Sequence, residues 1–315
     1  MLALRKSDSS FTELSYARPS DPRLKRWFIR SVEGLSGRDR YAAIYELWRS
    51  NIAPTGDRIF GQMLALTGIG VRTSGHWPPT MLPDTPLVIV ANHPFGIGDG
   101  IAILSLAEQL GRPFRVMIAA ELLKIKEMEP YSLPVDFSGT KAALKNNLEI
   151  RHEAVRLLKS GTTIVIFPAG GVATAPKGFG AAEDLPWKMF PAKLIQEAKA
   201  SVVPMHFSGQ NGRLFHIVSG PMNMMEREGR LAKMVGRVSL TLRLSLLVRE
   251  FARLSGKTMD VRIGRTLAWN ELEPLRDRKA LLDRLKDAVF ALAPPKQTRR
   301  RFRPRAALAV IAKRI

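Results

Sequence analysis

Short β-branched runs alternating with longer stretches of helical periodicity constrain this chain more than any other feature. Only a sheet covered by helices buries both patterns at once. The runs lie at Leu87–Ala91, Phe114–Ala119, Thr162–Phe167, Val202–Phe207, Leu214–Val218 and Met259–Ile263, and helical patterns occupy about 100–110, 139–159, 187–199, 226–255 and 271–292. Runs such as LVIVA and TIVIF lack polar alternation, which points to strands buried on both faces of a parallel sheet. The expected fold is α/β, with a largely parallel central sheet flanked by helices and a small helical N-terminal region. In that region Tyr41, Ile44, Tyr45, Leu47 and Trp48 mark one amphipathic face, Ile59, Phe60, Met63, Leu64 and Leu66 mark a second, and no strand-like run stands out. The implied organisation is a helical region over 1–75, an α/β domain over 76–293 opened by the proline-rich connector HWPPTMLPDTP, and a basic tail over 294–315. No internal repeat appears.

With 315 residues, 45% of them hydrophobic, the chain can bury a sizeable core. Its formal net charge of +21 says little about fold and much about partners, nucleic acid or an anionic membrane surface being the natural candidates. Part of the excess sits in the tail, at Lys296, Arg299, Arg300, Arg301, Arg303, Arg305, Lys313 and Arg314. The tail run RRRFRP interleaves only Phe302 and accompanies no nucleic-acid module, so no nucleic acid is expected. With no cysteine there is no disulfide frame and no thiolate metal site. The start MLALRKSDSS lacks a signal peptide's apolar core, and the uncharged stretch Ile59–Val71 is too short to span a bilayer. The expectation is a cytoplasmic chain that lies on the inner membrane rather than crossing it.

The most informative stretch is LVIVANHPFGIGDGIAI, residues 87–103. A buried strand ends at Ala91, and the loop Asn92-His93-Pro94-Phe95-Gly96-Ile97-Gly98 leads to Asp99 and a helix. Sites in α/β sheets form at strand ends. Glycine lets a loop fold back, so the carboxylate can reach one imidazole nitrogen and leave the other as a base. Singly, Asp99 reads as a helix N-cap and His93 as a core histidine; together, at a strand end, they read as a catalytic pair. A second strand ends in TTIVIFPAGGVATAPKG, residues 162–178, whose turn Phe167-Pro168-Ala169-Gly170-Gly171 can present backbone N–H groups to an oxyanion or phosphate. Read bare, it is also an ordinary tight turn.

Rival motifs fail. GGVATAPKG is no phosphate loop, since Pro176 precedes Lys177 and Gly178 follows it. GIGDGI has Ile101 where a dinucleotide fingerprint needs glycine, and no G-x-S-x-G is present. His76, His152, His206 and His216 lack metal-ligand spacing, so no metal is expected.

These segments resemble the bacterial lysophospholipid and glycerolipid acyltransferase superfamily, with its Asn-His…Asp and Phe-Pro-Glu-Gly motifs. The chain is more closely similar to the hemolysin-like branch, which reads NHP-x-G-x-x-DG and FPAG. LPVDFSGTKAALKNN (133–147), DLPWKMFPAKLIQEAKASVVPMHFSGQNGRLF (184–215) and GKTMDVRIGRTL (256–267) match in order, so the resemblance covers roughly 80–270. It implies an acyltransferase in which His93 is the general base and Asp99 orients it. Asn92, Gly96, Gly98, Phe167, Pro168, Ala169, Gly170 and Gly171 would then line the substrate site. The donor would be an acyl carrier protein or coenzyme A thioester, the acceptor a lyso-lipid of phospholipid or ornithine-lipid type, and no cofactor is needed. Two departures stand out. Five residues, 94–98, separate His93 from Asp99 where most of the superfamily has four, and Ala169 replaces the glutamate while VDFSG lacks arginine. Gly96 and Gly98 can absorb the extra residue before Asp99; the missing glutamate and arginine bear against a phosphate head group, unless Lys141 and Lys177 supply the cations. The alternatives are glycerol phosphate or an amine as acceptor, or a basic nucleic-acid- or membrane-surface-binding protein without catalysis.

Overall fold

A computed structural model describes residues 38–295, apart from positions 81, 85, 121, 122, 124, 137–139, 226–242, 244 and 245. Seven strands form one sheet: β1 (Gly70–Ser74), β2 (Leu87–Ala91), β3 (Phe114–Ala119), β4 (Ser132–Val135), β5 (Thr163–Ile166), β6 (Ser201–Ser208) and β7 (Thr258–Ile263). Their spatial order is β1-β7-β6-β2-β5-β3-β4, and every pairing is parallel except β6 with β7. The α/β architecture with a largely parallel sheet is as the hydrophobic pattern implies.

All five residues of β2 are buried, because successive side chains enter two different cores. Leu87, Ile89 and Ala91 pack on one face with helices α1 (Arg38–Asn51), α2 (Ile59–Thr67) and α3 (Ile97–Glu108). Val88 and Val90 pack on the other with α4 (Lys141–Lys159), α5 (Phe190–Ala198) and a late helix at Arg278–Phe290. Full burial of each such side chain contributes about 1.5–3 kcal/mol, so β2 is among the best-anchored elements.

The N-terminal helices belong to this core. Trp48 donates its indole N–H to the Ile59 carbonyl at 2.8 Å. The start of α2 has no side-chain cap of its own; Glu108, at the end of α3, accepts from the N–H groups of Phe60 and Gly61 at 2.9 and 3.0 Å. Residues 1–75 are therefore not purely helical: β1 lies within them and pairs with β7. Its sequence GVRTS is half exposed and carries no apolar run, so backbone pairing rather than burial makes it a strand. β4 was equally invisible, as SLPV at the sheet edge, where Pro134 costs no ladder bond on its open side.

Leu214–Val218 corrects a second expectation. It is no strand but part of helix α6 (Arg213–Met225), which buries Phe215 and His216 and exposes Leu214 and Ile217. Of the pattern at 226–255, residues 246–252 are helical. Helix α7 (Trp269–Leu272) precedes the late helix, α8 (Arg278–Phe290). The tail beyond 295 and the segment before 38 lie outside the described residues.

Connections fix where a site can form. From β2 the chain crosses over β5 to reach β3, and from β5 it crosses back over β2 to reach β6. The loops leaving β2 and β5 thus diverge, opening a crevice beyond their C-terminal ends.

Candidate active site

At the root of the β2 loop, Asn92 mimics a backbone pair. Its side-chain N–H donates to the Phe207 carbonyl at 3.0 Å, and its Oδ1 accepts the Phe207 N–H at 2.7 Å. Both amide ends are thereby committed to β6, so Asn92 anchors the loop. Gly96, at φ +79°, then turns the chain into α3. Gly98 is needed for space, since a Cβ there would sit 2.4 Å from Leu254 Cδ1. The five residues between His93 and Asp99 fold back through this turn and bring the two side chains together.

His93 Nδ1 lies 2.9 Å from Asp99 Oδ1, with the histidine side chain 17% exposed and the aspartate wholly buried. The contact is close but off the axis of a linear hydrogen bond, and neither atom has another partner. Asp99 is the third residue of α3 rather than its cap; Gly96 holds the cap position. Its other oxygen accepts the Phe95 N–H at 2.7 Å. The first turn of a helix favours a negative charge, so the carboxylate is held by the Phe95 N–H and the helix, with His93 Nδ1 close to its other oxygen. With Nδ1 turned inward, Nε2 is the ring nitrogen left to face an incoming group.

The β5 turn completes the site. The Phe167 ring stacks on the His93 imidazole with centroids 4.1 Å apart and planes at 26°. Gly170, at φ +65°, closes the turn by donating to the Phe167 carbonyl at 2.9 Å. Its N–H is therefore spent, whereas that of Gly171 has no acceptor among the described residues. Ala169 is buried under the turn. The Ala173 N–H donates to the His93 carbonyl at 2.8 Å, tying the two loops together. Lys141 and Lys177 are both exposed, at the start of α4 and in the loop after Ala173. Phe137–Gly139 of VDFSG lie outside the described residues.

One residue at the site escaped sequence reasoning. Asp184 Oδ1 accepts the backbone N–H of His93 at 3.3 Å, and its Oδ2 accepts the Trp187 indole N–H at 3.0 Å. Lys188 donates its N–H to the Pro168 carbonyl at 2.9 Å. Residues 184–188 thus brace both site loops. Burial pushes the Asp184 carboxyl up from its ordinary range, opposed by the bonds from Trp187 and His93. The signals were the place of DLPW at the head of the matched segment 184–215 and its short acid–aromatic spacing, neither of which names a partner.

The other histidines face elsewhere. Burial, with Arg262 nearby, pushes His206 down to about 4, and burial also lowers His216, whose Nδ1 accepts the Ala175 N–H at 3.3 Å. Among the described residues no histidine–carboxylate group converges to hold a metal. No helix of the described residues is long and apolar enough to cross a membrane.

A family model described as acyltransferase matches residues 57–290. The chain is 26% identical over 208 residues to a lyso-glycine lipid O-acyltransferase of Bacteroides thetaiotaomicron, covering 64% of this chain and 68% of that one. It is 24% identical over 209 residues to a lyso-glycine lipid O-acyltransferase of Phocaeicola vulgatus, covering 64% and 67%. The crystal structure of the 1-acyl-sn-glycerophosphate (LPA) acyltransferase PlsC from Thermotoga maritima aligns with a TM-score of 0.46 at 16% identity, over 85% of this chain and 93% of that one.

Proposed function

The chain belongs to the acyltransferase family, and from that premise we propose that it moves a fatty acyl group from an acyl carrier protein or coenzyme A thioester to the hydroxyl of a lyso-lipid, with His93 as general base. The observation that carries this reading is the 2.9 Å contact between His93 Nδ1 and a wholly buried Asp99 carboxylate. Binding alone gives no reason to bury a carboxylate behind an imidazole; proton transfer does.

In the proposed reaction Nε2 takes the hydroxyl proton as the acceptor oxygen attacks the thioester carbonyl. The tetrahedral intermediate collapses, the C–S bond breaks, and the imidazolium returns its proton to the leaving thiolate. Asp99 keeps Nδ1 protonated and stabilises the transient imidazolium. The stacked Phe167 restricts rotation of the ring. The Gly171 N–H is the proposed donor to the developing oxyanion. Both donors are acidic molecules, which suits a chain of net charge +21.

For the acceptor we propose a lyso-lipid with an amino-acid head group, of the glycine or ornithine type, used from the cytoplasmic face of the membrane. Two observations support it. Ala169 stands where the phosphate-handling glutamate of the resembled motif would be, and it is buried. The two relatives are named for a lyso-glycine lipid. The test is incubation of the purified protein with labelled acyl thioester and a panel of lyso-glycine lipid, lyso-ornithine lipid, lysophosphatidic acid and glycerol phosphate. Transfer to the amino-acid lipids is expected; selective transfer to lysophosphatidic acid would overturn the acceptor, and no transfer to any hydroxyl would overturn the reaction.

A further inference from the structure

Apolar surface gains by burial, so a fold that spends hydrogen bonds to hold an aromatic ring in water has a use for it there. Residues 174–183 form such a loop. Thr174 and Glu183 exchange backbone hydrogen bonds of 3.0 and 3.2 Å across its base. Gln210 braces the outer arm, accepting from the Ala182 N–H at 2.8 Å and donating to the Gly180 carbonyl at 3.0 Å. Gly178 and Gly180, at φ +76° and +96°, turn the chain on either side of Phe179. The result is a Phe179 side chain 71% exposed at the tip of a well-bonded loop. The tip rests on α6, since a Cβ at Gly178 would lie 3.2 Å from Ile217 Cα. There Leu214 and Ile217 are also exposed, at 43% and 56%. Lys177 and Arg213, both exposed, flank the three apolar side chains. The loop leaves directly from Ala173, which is bonded to the His93 carbonyl, so the patch borders the catalytic crevice.

We propose that Phe179, Leu214 and Ile217 form a membrane-docking surface that enters the interface of an anionic bilayer and sets His93 at the lipid–water boundary. The proposal rests on the lyso-lipid reading above. A bilayer is the occupant that fits the charge: Lys177 and Arg213 ring the patch and the whole chain carries +21, each cation near an anionic leaflet contributing on the order of 1 kcal/mol. The apolar face Ile59–Leu66 is not a competing anchor, because its Ile59, Phe60 and Leu64 are core residues. Shallow insertion of a few apolar side chains beside basic ones is the mode available to a surface-bound protein.

The chain has no cysteine, so a Phe179→Cys variant takes one environment-sensitive fluorophore at the tip. A Ser160→Cys variant, at the exposed turn before β5 and hence at the opposite end of the sheet, is the control. On vesicles of phosphatidylcholine and phosphatidylglycerol the tip label should shift to the blue and be quenched by a bilayer-embedded quencher, and the control should not. The triple variant Phe179→Ser, Leu214→Ser, Ile217→Ser should sediment with these vesicles roughly tenfold less than wild type, yet keep transfer to detergent-dispersed acceptor. A tip label that stays water-like while the protein sediments overturns the proposal. So does a triple variant that sediments like wild type, whether it has lost self-association, which marks a second copy as the occupant, or has lost only transfer from acyl carrier protein, which marks the donor. If the tip inserts but wild type transfers no acyl group, the surface stands and the reading of the reaction fails.

Discussion

The loop after β2 and the turn after β5 meet at one crevice but are built on different principles. The first carries the two ionisable side chains, His93 and Asp99, and its root is tied by the paired Asn92–Phe207 hydrogen bonds and by the Phe95 N–H donating to Asp99, with His93 Nδ1 2.9 Å from the other Asp99 oxygen. The second contributes no ionisable side chain from Phe167 to Gly171; it offers an aromatic wall and backbone N–H groups. Each loop pairs one glycine of positive φ, Gly96 or Gly170, with one whose Cβ would meet a leucine methyl, 2.4 Å from Leu254 at Gly98 and 2.9 Å from Leu185 at Gly171. A side-chain base demands fixed geometry on both ring nitrogens, while a backbone donor needs only a turn that keeps its N–H unpaired. Asp184 couples the two, since its own segment bonds to His93 and to Pro168.

This contrast can be broken one residue at a time. His93→Ala should have the largest effect, lowering transfer by roughly 10²–10⁴ while the thermal midpoint stays near wild type; retained transfer would move the chemistry out of the first loop. Asp99→Asn comes next. Its amide oxygen can still accept from the Phe95 N–H, so α3 should persist, but the imidazole loses its carboxylate and kcat should drop by about 10². Unchanged kcat with a lowered melting point would mean the carboxylate serves only the helix. Gly98→Ala should cost about 1–3 kcal/mol in urea unfolding through overpacking. Gly171→Ala meets Leu185 Cδ1 at 2.9 Å, where Gly98→Ala meets Leu254 Cδ1 at 2.4 Å, and Leu185 is only partly buried while Leu254 is core, so it should cost less than about 1 kcal/mol; equal costs would mean that the core around Leu254 yields as readily as the rim around Leu185. The smallest effect is expected for Asp184→Asn, about fivefold in kcat, because an amide N–H would then face the Trp187 indole N–H. Adding Trp187→Phe removes that conflict and should recover most of the loss; a purely structural Asp184 predicts that the two losses add.

Legibility in the sequence followed how local the cause was. LVIVA and FRVMIA read as strands to the residue, because short β-branched, largely apolar runs bounded by turn residues admit few other uses. The run at Leu214–Val218 misled for the same reason. LFHIV is apolar but for His216, and only its neighbours decide that Phe215 and His216 face the core and Leu214 and Ile217 face water. β1 and β4 escaped because their strand character comes from partners outside the local window, Met259 opposite Val71 and Met117 opposite Leu133.

What the sequence determined by itself was the α/β class, from runs that alternate along the chain, and the approach of His93 and Asp99 beyond the end of β2, from residues six positions apart. What only the tertiary structure decided were the long-range ties. Asn92 finds Phe207, 115 residues away, and His93 finds Asp184, 91 residues away. Both follow from the order β6-β2-β5, which sets the ends of three distant strands side by side. The same order brings the Phe179 loop against α6, joining three unremarkable apolar residues into one exposed surface. Periodicity and spacing carry short-range information, because backbone geometry repeats over a few residues; which distant loops share a crevice depends on crossover connections, and a crossover leaves no mark on the residues it unites.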